Sequence, residues 1–196
     1  MKLYNIFRYG IMKRLRKGDS ALLFLTFRCT LKCSYCSLKY IDGIYPSSSE
    51  IDLSDWKRIV KDFPRKLREI KITGGEPMIQ PYFVEFVNWL TDNGYFVFVL
   101  TNLTIKVKGL KPSNKLMLCA THHQGIDADK WKKNLEHYQK DFRVEVEEID
   151  FGEVDGSYVK NLGYRESGDT CMGFLYAPDG KLYTRFNELV EAHVSR

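Results

Sequence analysis

"ALLFLTFRCTLKCSYC", residues 21–36, sets an apolar run directly before three cysteines. The run "ALLFLTF" (21–27) has the composition of a strand buried in a parallel sheet. Cys29, Cys33 and Cys36 follow as C-x3-C-x2-C in a polar loop. In parallel α/β folds the reactive loops leave the carboxyl ends of strands, so this loop falls on the reactive rim.

The same rhythm repeats along the chain. Ser54 predicts the cap of a helix whose Trp56, Ile59, Val60 and Phe63 share one face, with Pro64 as its end. "REIKIT" (68–73) alternates as a second strand. Pro81 suits the first turn of a second helix that buries Phe83, Val84, Phe86, Val87 and Leu90, and Gly94 stops it. "YFVFVL" (95–100), "KLMLCA" (115–120) and "FRVEVEEI" (142–149) read as further strands. Asp127 or Asp129 caps a helix running through Trp131, Leu135 and Tyr138. "FLYAPDGKLYT" (174–184) reads as a hairpin turning at Pro178-Asp179-Gly180.

Repeated βα units predict a parallel sheet with helices packed outside it. A closed eightfold barrel takes about 250 residues. The 196 residues here fit five or six units. The predicted fold class is therefore α/β, a partial, open parallel (βα)5–6 barrel with a short C-terminal β-hairpin extension. The organisation expected is a basic N-terminal extension (1–20), a barrel core (21–150) and a C-terminal extension with the hairpin (151–196), packed on the same domain.

The chain is 44% hydrophobic and 28% charged, as in ordinary globular proteins. No apolar run reaches the roughly 18 residues of a membrane span, so no membrane association is expected. The first twenty residues do not read as a secretory signal. A reducing, cytoplasmic setting is the expectation, and clustered cysteines there act as ligands or catalysts rather than disulfides. The net charge is +5, with Lys13, Arg14, Arg16 and Lys17 clustered early. Acids gather at Glu145, Glu147, Glu148, Asp150, Glu153 and Asp155. Such clusters read as solvated faces, or as docking surfaces for partners of opposite charge.

Three thiolates can hold three irons of a [4Fe–4S] cluster and leave the fourth iron without a protein ligand. An open coordination position is where a metal centre does chemistry. A zinc site would need His122, His123 or Cys171 as a further ligand, yet no second C-x2–4-C pair exists. "KITGGEP" (71–77) ends the second strand. Gly74 and Gly75 permit positive φ and close backbone approach to a ligand, and Glu76 offers a carboxylate to an ammonium group.

With these two motifs the sequence resembles the radical S-adenosylmethionine (radical SAM) superfamily, as a short form without an auxiliary-cluster domain. C-x3-C-x2-C is that family's signature, and Tyr35 sits at its aromatic position before the third cysteine. The resemblance implies one [4Fe–4S] cluster on Cys29, Cys33 and Cys36, with SAM chelating the open iron. Reductive cleavage of SAM would give a 5′-deoxyadenosyl radical that takes a hydrogen atom from substrate. Tyr35 would contact the adenine, and Gly74, Gly75 and Glu76 the methionine amino group. Thr101 and Asn102 would meet the ribose or carboxylate. The family's activities are those of an oxidoreductase or lyase.

His122, His123 and Glu145 are the candidates for catalytic or substrate contacts, with Glu147 on the same strand face as Glu145. Here the sequence departs from the family, whose fifth strand often carries glycines that contact adenine. The tail "CMGFLYAPDGKLYTR" resembles the opening of the family's auxiliary-cluster domains, but no cysteine follows it. No second cluster is expected from Cys119 and Cys171, and Cys171 reads as a packed thiol. Tyr183 and Arg185 are further candidates for facing substrate. Implied partners are a flavodoxin- or ferredoxin-like electron donor and a substrate that is either a nucleotide or modified base, or a peptide or protein. The oligomeric state is open. The alternative reading is a non-catalytic Fe–S or zinc-binding recognition module.

Overall fold

The computed structural model describes residues 20–33, 36, 38, 49–123, 125–148, 174–184, 188, 189 and 192. The basic cluster at 13–17, Tyr35, Asp150, Glu153, Asp155, Cys171 and Arg185 lie outside these residues, as does the side chain of Glu148.

Within them, β1 is Ser20–Thr26, α1 Leu53–Lys61 and β2 Glu69–Gly74. A 3-10 turn, Pro77–Ile79, leads to α2, Phe83–Asp92. Next come β3 (Phe96–Thr101), β4 (Leu116–His122), α3 (Ala128–Gln139) and β5 (Arg143–Glu148). A short hairpin closes the set, β6 (Phe174–Tyr176) and β7 (Leu182–Tyr183). The described strands form one sheet in the order β5-β4-β3-β2-β1-β6-β7, with β5 and β7 at open edges. Every pairing is parallel except β6 with β7. The sheet is α/β and does not close into a barrel. The hairpin adds directly to it, because β6 lies against β1 from Ala21↔Phe174 to Leu23↔Tyr176.

Side-chain alternation separates the two faces of the sheet. Leu23, Leu25, Ile70, Ile72, Val97, Val99, Leu116, Leu118 and Ala120 are buried with Trp56, Val60, Phe83, Phe86, Val87 and Leu90 of α1 and α2. Trp131 and Tyr138 of α3 complete this core. A smaller cluster lies elsewhere on β1, where Phe24, Phe27, Leu38, Leu175, Ala177 and Leu189 pack together with Cys36 against them.

Two predicted helix starts move. α1 is capped by Asp52, whose Oδ1 accepts from Asp55 N at 3.0 Å and from Ser54 Oγ at 2.7 Å. Ser54 is thus inside the first turn, where a hydroxyl cannot reach the free amides of its own helix start. Pro81 precedes α2 rather than opening it, and Pro77 takes the first position of the 3-10 turn instead. Asp127 caps α3 through Lys130 N at 2.7 Å.

Candidate functional site

The cysteine loop and the Gly-Gly-Glu turn leave adjacent strands and are stitched together. Where β1 and β2 end, Gly75 N donates to Thr26 O and Glu76 N donates to Arg28 O, both at 2.9 Å. Gly74 has φ +138, and a Cβ there would lie 2.0 Å from Thr26 O. A Cβ on Gly75 would lie 2.1 Å from Arg28 O. No side chain fits either position. The close approach predicted for a ligand is therefore, in the first place, an approach between two backbone segments of the chain itself. Gly75 achieves it without a positive φ.

Glu76 differs from its sequence reading. It has no exposed surface. Its Oε1 accepts from Met78 N (3.0 Å) and Thr101 Oγ1 (2.9 Å). Its Oε2 accepts from Asn102 N (2.8 Å) and Thr101 Oγ1 (3.0 Å). Burial pushes its carboxyl up to about 7, against the pull of these donors. The carboxylate faces inward and ties the end of β3 to the 3-10 turn. Thr101 is equally interior, its hydroxyl also accepting from Leu103 N at 3.0 Å.

Asn102 follows at the tip of β3 and is 3% exposed. Its carbonyl accepts from Trp131 Nε1 of α3 at 3.1 Å. Its Nδ2 points to Thr30 Oγ1 (3.2 Å) and Cys29 Sγ (3.6 Å). Its Oδ1 accepts from Thr104 N (3.0 Å) and Thr104 Oγ1 (2.6 Å). Asn134 and Tyr138 hold the next residues, through Leu103 O at 2.6 Å and Ile105 O at 3.1 Å. Helix α3 thus fixes the loop that touches the first cysteine.

Cys29, Cys33 and Cys36 are half-buried thiols outside any disulfide. Cys36 N donates to Cys33 O at 3.1 Å, which curls the loop back on itself. Cys29 Sγ accepts from Leu31 N at 3.4 Å. Burial pushes the Cys29 thiol up to about 11, and the negative charge of Glu76, Cys36 and Cys33 adds to this.

Glu50 belongs to this assembly and was not found by motif reading. It sits in "SSSEID", which looks like an ordinary polar link. Its side chain is 7% exposed and pairs with Arg28 Nη2 at 2.9 Å. It also accepts from Gln80 Nε2 at 2.7 Å, from Arg28 Nε at 3.3 Å and from Thr26 Oγ1. Gln80 reaches on to Leu25 O at 3.0 Å. A buried carboxylate needs such partners, and only the fold brings these together.

The β4–β5 side is arranged differently. Val144 and Val146 pack towards the helices, so Glu145 and Glu147 lie on the opposite face, paired in register with Cys119 and Thr121. Glu145 meets Arg143 Nη2 at 3.2 Å. Burial, then Glu147 and Glu145, push the Cys119 thiol up to about 12. His122 lies on the helix side, its ring 5.0 Å from Trp131, with a buried Nε2 that has no hydrogen-bond partner among the described residues. Burial and His122 pull His123 down to about 4, which keeps that imidazole neutral at pH 7. His122 and Glu145 are therefore on opposite faces and do not form one constellation.

The sequence model of the Radical SAM superfamily matches residues 23–118, the span from β1 to β4. The chain belongs to the radical SAM superfamily. It is 27% identical over 202 aligned positions to GTP 3′,8-cyclase of Vibrio parahaemolyticus, covering 90% of this chain and 55% of that protein. It is 30% identical over 87 positions to PqqA peptide cyclase of Rhodopseudomonas palustris, covering 44% of this chain and 22% of that protein. The structure of Streptococcus suis SuiB superposes with a TM-score of 0.57 at 14% identity, over 82% of this chain and 40% of SuiB. That likeness is one of fold. The chain spans about half the length, or less, of these curated relatives.

The donor set fits a radical SAM cluster. Three thiols share one loop and influence one another's charge. Among the described residues no three His, Cys, Asp or Glu side chains converge as ligands of a single ion. In a cubane each thiolate would sit on its own iron corner. No described helix is long and apolar enough to cross a membrane.

Proposed function

We propose that this chain is a radical SAM enzyme in which Cys29, Cys33 and Cys36 hold one [4Fe–4S] cluster. The observation that carries the reading is the stitched junction, Gly75 N to Thr26 O and Glu76 N to Arg28 O. It holds a three-thiol loop against a glycine turn whose carbonyls can accept the ammonium of a bound amino acid. When bound there, the cluster and SAM would supply one-electron reductive chemistry able to take a hydrogen atom from substrate.

The chain's own residues bind, orient and exclude water. Gly74 and Gly75 offer SAM their backbone, and Tyr35 an aromatic surface. Glu76 and Thr101 act from behind, by fixing the turn and the β3 tip. Substrate approaches the sheet face bearing Glu145 and Glu147, opposite the face that packs on α1, α2 and α3. The names of the relatives support a nucleotide or a peptide as its class. A flavodoxin- or ferredoxin-like donor in a reducing cytoplasm would supply the electron.

The test is anaerobic reconstitution of the full chain, with iron and sulfide counted before reduction in the presence of SAM. About four irons per chain and release of 5′-deoxyadenosine are expected, and Cys33→Ala should abolish both. One zinc per chain with no nucleoside product would replace this reading with the recognition module.

A further inference from the structure

We propose that Asn102 is a positioning residue that donates a hydrogen bond to the sulfur of Cys29 and thereby raises the potential at which the bound cluster accepts an electron. This rests on the radical SAM reading above, in which Cys29 is a cluster ligand.

The orientation of the amide follows from its partners. Oxygen and nitrogen ends of an asparagine are assigned by what surrounds them. Thr104 N can only donate, and it lies 3.0 Å from Oδ1. The Thr104 hydroxyl lies 2.6 Å from the same oxygen. That end is therefore the carbonyl, and the NH2 end faces the cysteine loop. Its two hydrogens have two acceptors, Thr30 Oγ1 at 3.2 Å and Cys29 Sγ at 3.6 Å. Thr30 and Thr104 are themselves joined, hydroxyl to hydroxyl, at 2.7 Å.

The backbone is as firmly held as the side chain. Asn102 N donates to Glu76 and its carbonyl accepts from Trp131. All its polar atoms are thus satisfied inside the protein, and it has little surface left to offer a cofactor. The residue's proposed partner is accordingly the ligand sulfur rather than the SAM ribose or carboxylate.

The electrostatic consequence has a definite sign. One electron from an external reductant adds negative charge to the cluster and its thiolates, with no proton transferred. An N–H aimed at a ligand sulfur stabilises that added charge, and such bonds are among the determinants of cluster potential. Leu31 N supplies a second donor to the same sulfur.

The experiment is an EPR-monitored redox titration of the reconstituted full chain without SAM. Asn102→Leu keeps the volume and removes the donor. It is expected to weaken the one-electron reduction equilibrium about tenfold, a shift of about 59 mV to lower potential. Asn102→Asp puts a charge in the same place and should lower the potential further. A Leu variant with a full iron count and the wild-type potential overturns the proposal.

If the Leu variant does not assemble a cluster, the wild-type chain decides the question. Pulsed EPR of its reduced cluster, after labelling asparagine with 15N at the side-chain amide, should show a coupled nitrogen. Absence of that coupling overturns the proposal and leaves the radical SAM reading intact. A wild-type chain that assembles no cluster overturns both.

Discussion

Two buried carboxylates brace the cysteine loop from different sides, and they are held by different chemistry. Glu50 meets a guanidinium, an amide and a hydroxyl, and the Arg28 side chain that pairs with it is 43% exposed. Glu76 meets two backbone amides and one hydroxyl, all interior, with no cation. The first arrangement can relax, because water can replace a lost partner on Arg28. The second cannot, since every donor around Glu76 is sealed in. A buried donor left without an acceptor costs more than the bond it once made was worth.

Removing each acid should expose this difference. Glu76→Ala is expected to cost about 3–5 kcal/mol in urea unfolding, because Met78 N, Asn102 N and the Thr101 hydroxyl lose their acceptor together. A loss below that of Glu50→Ala would reverse the comparison.

The pH dependence of the metal-free chain is the next largest effect. The folded value of Glu76, about 7, lies above its ordinary 4.5. The folded chain therefore holds this proton more tightly than the unfolded chain. The stability so gained is fully present below pH 4.5, falls as pH rises through 7 and is level above that. The total is of order 3 kcal/mol, and unfolding curves across this range should show that slope in wild type and not in Glu76→Gln.

Glu50→Ala should cost about 2 kcal/mol, since Gln80 keeps its bond to Leu25 O and Arg28 rehydrates. Thr101→Val should cost least, about 1–2 kcal/mol. It removes one donor from Glu76 and the acceptor of Leu103 N, and the same unfolding assay would rank it.

The strands and helices were largely visible in the sequence because apolar runs and helical spacing report burial directly. The stretch 21–27 reads as a strand, and β1 ends one residue earlier. The cysteine spacing and the Gly-Gly-Glu turn also stand out by themselves. What spacing does not carry is direction. Glu76 reads as a ligand for an ammonium group, and the fold turns it inward. His122 and Glu145 read as rim neighbours, and strand alternation puts them on opposite faces. Glu50 gives no signal in its own segment, because its partners are Thr26, Arg28 and Gln80, brought together only when β1 and the 3-10 turn meet. Asn102 stood out as a polar residue at a strand end, whereas its sulfur partner lies 73 positions away in the chain.

The placement of β6 sets an order on biosynthesis. The strand that leads into the thiol loop has one neighbour, β2, that is made soon after it, and another, β6, drawn from residues 174–176. Until the ribosome has released that late segment, β1 has a bare edge and the loop stands beside an unfinished wall. On the reading proposed above, the thiols of the nascent chain would be reachable for cluster insertion before β6 pairs with β1.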